Sequence, residues 1–182
     1  MALLLCALTV SAQQRVQSLS VEILGAQNTF GINYDARFRG NDGLGYRVGI
    51  GYGYGEDDIF FSQNLKGVGV PLELNYLLGH HNSKLELGFG ANLGIYHVRE
   101  TAAYYDADYT PDGSDTPVGG VTFYDTSSNC FGYLLFGNVG YRYQRPHGLL
   151  LRVGLSPSFN FADKHGLHKT FFYPYLGLGW SF

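Results

Sequence analysis

The chain has 182 residues, enough for a single domain, and a net charge of −3 without any basic run, which removes nucleic acid as a partner. Charged residues make up only 15%, whereas glycine (26), tyrosine (15) and phenylalanine (13) are abundant, a balance that suits a β-protein with one side facing something other than water. No window approaches the roughly 18 apolar residues of a membrane-spanning helix.

The first element is a leader. Residues 1–14 read MALLLCALTVSAQQ, an apolar run followed by the small-residue site Val10-Ser11-Ala12. Cleavage is expected after Ala12, making 1–12 a signal peptide and 13–182 one domain. Cys6 falls in the leader, behind a bulky Leu5 that speaks against a lipoprotein site. Cys130 is then a lone, functionally silent thiol.

Eight segments follow in which apolar residues recur at every second position, the strand period. They are 19–26, 30–38, 44–55, 68–78, 85–97, 131–144, 149–161 and 172–182. Most are near the ~9–11 residues with which a tilted strand crosses a bilayer. The third shows the pattern. Leu44, Tyr46, Val48, Ile50, Tyr52 and Tyr54 share one face, and Gly45, Arg47, Gly49, Gly51, Gly53 and Gly55 the other.

Across these segments the apolar face carries no Asp, Glu, Lys or Arg. The opposite face holds Glu22, Asp35, Arg37, Arg47, Glu73, Glu86, Arg142 and Arg152, together with most of the strand glycines. This asymmetry decides which face is outside. Eight strands enclose room for only a modest set of side chains. Bulky residues would overpack that interior, whereas small and charged ones fit it. The fold class predicted is therefore all-β, an eight-stranded antiparallel up-and-down transmembrane barrel, closed so that no backbone group is left unpaired in lipid.

The connections alternate short and long, as in outer-membrane barrels. Short turns are expected at 39–43, 79–84 and 145–148, facing the periplasm with both termini. The opposite end has a short loop at 27–29 and longer ones at 56–67, 98–130 and 162–171. Aromatic residues near strand ends, among them Tyr34, Phe38, Tyr46 and Trp180 below and Tyr52, Phe131 and Phe159 above, read as interfacial girdles. Pro71, Pro157 and Pro174 lie inside strands, where bulges or fraying are expected.

The closing segment Tyr175-Leu-Gly-Leu-Gly-Trp-Ser-Phe182 ends on Phe after apolar residues at alternate positions. With Leu74-Asn-Tyr-Leu-Leu-Gly79, Lys84-Leu-Glu-Leu-Gly-Phe-Gly90 and Gly140-Tyr-Arg-Tyr-Gln144, it resembles the small bacterial outer-membrane β-barrel family related in architecture to OmpA and OmpX. That resemblance implies a Gram-negative cell envelope. It also implies a C-terminal assembly signal, Leu176, Leu178, Trp180 and Phe182, read by the barrel-assembly machinery. It is specific for fold and location and silent on activity, because that architecture hosts adhesins, tethers, porin-like pores and a few enzymes.

The luminal set of four acids and four arginines reads as a closed network that plugs the barrel, with partners drawn from neighbouring strands. The alternative is a gated conductive path. His97 at a strand end, with Asp125, Ser127 and Ser128 nearby, could serve a lipid-modifying enzyme, although nothing else supports catalysis. His165-Gly-Leu-His168 and the loop acids Asp106, Asp108, Asp112 and Asp115 lack a metal-binding spacing, so no metal or cofactor is expected. The function expected is non-enzymatic, structural or surface-interacting. The partners are outer-membrane lipid and an extracellular ligand at the 98–130 loop. A narrow channel is the alternative, and a lipid-modifying enzyme the third reading.

Overall fold

Residues 15–55, 64–105, 121–159 and 170–182 are described by a computed structural model. The period-2 segments become β1 (Gln17–Leu24), β2 (Phe30–Arg37), β3 (Gly43–Gly55), β4 (Asn64–His80), β5 (Ser83–Tyr105), β6 (Val121–Gln144), β7 (Gly148–Phe159) and β8 (Thr170–Ser181). Each pairs with its chain neighbour in antiparallel sense, and β1 meets β8 to close the barrel. The seam runs from Ser18 opposite Ser181 to Leu24 opposite Tyr175. It is extended by a reciprocal pair of backbone hydrogen bonds between Gln17 and Phe182, at 3.2 and 2.9 Å. The expected leader at 1–12 and the loop segments 56–63, 106–120 and 160–169 lie outside the described residues.

The wall is inside out relative to a soluble protein. Ile50, Phe89, Ile95 and Phe131 are 64–70% exposed on the outer face, while Asn33, Asn75, Arg142 and Gln144 are buried in the lumen. Aromatic contacts gather at both ends of the β2–β3 hairpin. Phe30 meets Tyr52 at 5.6 Å at one end, and Tyr46 meets Phe38 at 5.7 Å at the other.

Several strand limits differ from expectation. β1 stops at Leu24, and Gly25–Gln27 form a 3-10 turn in place of the strand's last residues. The turn between β4 and β5 shrinks to residues 81–82, since His80 pairs with Ser83. The 98–130 stretch is not all loop: β5 continues to Tyr105 and β6 begins at Val121, paired throughout. Alternation marks only the part of a strand that has one polar and one apolar face. Beyond 97 on β5 and before 131 on β6 the pattern fades in the sequence, while the backbone ladder continues.

The prolines produce no bulge. Along β3–β4 the register is the same on both sides of Pro71, and along β6–β7 on both sides of Pro157; only the ladder pairs beside them are missing. Opposite Pro157, the carbonyl of Gly137 accepts from Ser156 Oγ at 3.0 Å, a hydroxyl standing in for the missing N–H. Pro174 lies just past the last β1–β8 pair, Leu24 with Tyr175, while on its other side it stays in register opposite Leu155.

Candidate functional site

Alternation sends every second side chain inward, so the lumen is built from the polar positions of all eight strands. The eight charged residues form one connected network, none more than 4% exposed. Arg47 on β3 is bonded to Glu73 on β4 and lies 3.3 Å from Glu22 and 3.9 Å from Glu86. Arg152 on β7 donates to Glu22 and grips both oxygens of Glu86, at 2.8 and 2.9 Å. Arg142 on β6 holds both oxygens of Asp35, at 2.9 and 3.0 Å, and reaches Glu86 at 3.5 Å. Arg37 completes the set on Asp35 at 2.8 Å.

Isolated charges could not be buried here. Paired and hydrogen-bonded ones can, since their mutual attraction offsets the lost hydration. The pairing departs from the neighbour-by-neighbour expectation. Asp35 bonds across the lumen to β6, and Glu22 on β1 bonds to β3 and β7. A narrow barrel brings opposite walls within reach of an arginine, so adjacency along the sheet chooses the partner in some pairs, as for Arg47 and its ladder neighbour Glu73, and not in others.

A ninth charge lies inside. Lys84, assigned by the alternation pattern to a turn, belongs to β5, is 3% exposed and donates to the carbonyl of Asn41. Among the described residues, the buried charges are thus four acids against four arginines and one lysine. Neutral groups complete the bonding. Asn75 donates to Asp35 at 3.0 Å and accepts from Arg37, Asn138 donates to Glu73 at 2.6 Å, and Gln144 accepts from Arg142 Nε at 2.9 Å. Sequence reasoning that tracked charges alone passed over them, although their parity along the strands puts them on the same face.

The inward glycines have a steric reason. Large luminal side chains lie flat over glycines: Arg37 over Gly45, Asn33 over Gly49, Asn92 over Gly69, Glu73 over Gly88, and the Tyr175 hydroxyl over Gly140 and Gly154. A Cβ at any of these would collide with its neighbour.

At each end of the lumen, inward side chains bond to a turn. At one end the turn Gly25–Gln27 is folded inward and buried. Asn92 Nδ2 donates to the Ala26 carbonyl at 2.7 Å, Gln27 bonds to Asn33, and Asn28 Nδ2 reaches the Tyr96 hydroxyl at 3.3 Å. Leu24, which starts the turn, has φ 60° and ψ −154°, a conformation costing a non-glycine residue about 1–3 kcal/mol, so the surrounding contacts must hold it. At the other end Lys84 and Arg37 donate to the carbonyls of Asn41 and Gly43, tying the 38–43 turn to the lumen.

Of the remaining chemistry-bearing residues, those described lie on the outside. His97 is exposed, with Nδ1 2.8 Å from Asn129 Oδ1, and Ser127 and Ser128 are exposed nearby. The Asp125 and Cys130 side chains, and His165, His168, Asp106, Asp108, Asp112 and Asp115, lie outside the described residues. Among the described residues, no group of three or more His, Cys, Asp or Glu could hold a metal. Leu176, Leu178, Trp180 and Phe182 point outward beside the seam, 46–61% exposed.

No protein-family model matches the sequence, and neither does any curated protein. Solved structures do match. The N-terminal β-barrel domain of Pseudomonas aeruginosa OprF aligns with TM-score 0.52 at 12% identity, covering 93% of this chain and 98% of the other. Neisserial surface protein A (NspA) gives 0.46 at 14%, covering 92% and 93%. The attachment invasion locus protein Ail of Yersinia pestis gives 0.42 at 14%, covering 92% and 95%. At such identities the likeness is one of fold. With the closed eight-strand topology, the OprF match establishes that the chain has the architecture of the small outer-membrane β-barrels.

Proposed function

We propose that this protein is a non-enzymatic integral outer-membrane barrel, structural or surface-interacting, whose lumen is a plug and not a path. The observation that carries this reading is the buried network of Glu22, Asp35, Arg37, Arg47, Glu73, Glu86, Arg142 and Arg152, inside a wall whose outer face is apolar. A conducting lumen needs hydrated charges that an ion can exchange with. Here each of these eight charges is bonded to another, and inward side chains bond to a turn at each end.

In this reading the outer wall meets lipid and the C-terminal strand is recognised by the barrel-assembly machinery. Both termini face the periplasm. The β5–β6 hairpin stands outside the cell, where it would meet an extracellular ligand. At a tilt near 45°, strands of this length, 23 and 24 residues, exceed what a bilayer requires, which leaves the hairpin's outer part free for contact.

Planar-bilayer recording of the purified barrel tests the plug. No steady conductance is expected. A steady, ion-selective conductance would overturn the plug and support the narrow-channel alternative. Incubation with labelled lipid tests the enzymatic reading, and the expected result is intact lipid.

A further inference from the structure

The outer wall changes character along one line. On β4, β5 and β6, outward positions from Leu78, Leu85 and Tyr143 up to the row Val68–Ile95–Phe131 are apolar, aromatic or glycine, and these three are 51%, 68% and 70% exposed. One outward step further, the ladder places Lys66 opposite His97 and His97 opposite Asn129, all three exposed. The ladder continues beyond this row, with Asn64 opposite Arg99 and Arg99 opposite Ser127.

The alternation pattern had started the fourth strand at residue 68. The added length of β4 puts a cation on the outer face, just above the apolar band.

Geometry gives this row its depth. An outward step along a strand is two residues, about 6.6 Å, or roughly 5 Å along the membrane normal at the usual tilt. If Val68, Ile95 and Phe131 lie at the edge of the hydrocarbon, Lys66, His97 and Asn129 lie among the headgroups. Cross-strand neighbours are about 5 Å apart, so an ammonium, an imidazole and an amide fall within about 10 Å. The His97 Nδ1–Asn129 Oδ1 contact at 2.8 Å fixes the ring and leaves the Asn129 amide nitrogen able to donate. Three hydrogen-bonding groups, one of them a fixed cation, at headgroup depth suit an anionic oxygen cluster.

We propose that Lys66, His97 and Asn129 form a seat on the outer wall for the phosphate of an outer-leaflet lipid headgroup. The proposal rests on the outer-membrane reading above and adds a specific lipid partner to it. Apolar side chains below would pack the acyl chains while the seat holds the phosphate, anchoring the foot of the β5–β6 hairpin at a defined depth.

The test uses tryptophan quenching in vesicles. Trp180 is the sole tryptophan, so Phe131→Trp combined with Trp180→Phe places one reporter directly below the seat. The barrel is inserted into phosphatidylcholine vesicles containing a minor fraction of brominated phosphatidic acid, or of brominated phosphatidylcholine as reference. The expected result is roughly fivefold enrichment of the phosphatidic acid at the reporter, the factor contributed by one basic side chain at an anionic surface. Adding Lys66→Gln and His97→Gln should return the two lipids to parity. Equal quenching before those changes, or a preference that survives them, overturns the seat. Heat-dependent gel mobility reads insertion separately. A barrel that fails to insert overturns the membrane reading and the seat together, whereas insertion without lipid preference overturns the seat alone.

Discussion

Asp35 stands directly opposite Arg47 in the β2–β3 ladder, yet its carboxylate is held by Arg142 from the far side of the lumen, at 2.9 and 3.0 Å. The network thus joins struts between walls, such as Asp35 to Arg142, to neighbour pairs such as Arg47 with Glu73.

That arrangement predicts the order of coupling energies. Arg142→Ala leaves Asp35 short of its two-pronged partner in a buried site and should cost about 3–5 kcal/mol. In double-mutant cycles followed by urea unfolding of the vesicle-bound barrel, Asp35 should couple more strongly to Arg142 than to Arg47. The reverse order would mean that adjacency in the sheet governs the pairing after all.

The glycines predict a contrast within one strand. A Cβ on Gly140 would strike the Tyr175 hydroxyl and the backbone of Val153 and Gly154, whereas on Gly137 its nearest neighbour is Pro157 Cγ at an ordinary 3.5 Å. Gly140→Ala should therefore destabilise by about 1–3 kcal/mol. Gly137→Ala should be close to neutral. Similar losses at both positions would remove the steric explanation.

The outer wall predicts a cost for charge. Leu87 on β5 faces outward among apolar neighbours. Leu87→Arg should cost about 2–4 kcal/mol if that position lies near the bilayer midplane. Unfolding free energies in vesicles against the unmutated barrel give the value, and an unchanged stability would argue that this face does not meet lipid.

Phe182 joins the seam through both of its backbone hydrogen bonds to Gln17, with its ring on the outside. Its deletion should reduce the amount of barrel inserted into the outer membrane of cells, measured in membrane fractions. Normal insertion of the shortened chain would deprive Leu176, Leu178, Trp180 and Phe182 of their role as an assembly signal.

Surface topology can be read on whole cells. Added protease should cut within the 106–120 segment and spare the turn at 81–82. Cutting confined to the turn would invert the orientation proposed for the barrel.

By itself the sequence determined the strand count, the closed antiparallel class and which face of each strand turns inward. All three follow from period-2 alternation, because successive side chains leave a strand on opposite sides and only one side can meet lipid. Residues such as Val48 and Gly49 carry that information in their order alone. Tertiary structure decided what alternation does not encode. The extent of β5 and β6 beyond 85–97 and 131–144 depends on backbone pairing that persists where the sequence no longer alternates. The inward fold of Gly25–Gln27 depends on the amides and hydroxyls that meet it inside the lumen. The choice of Arg142 over Arg47 as the partner of Asp35 depends on the width of the closed barrel, which sets how far a guanidinium must reach and exists only once β1 has met β8.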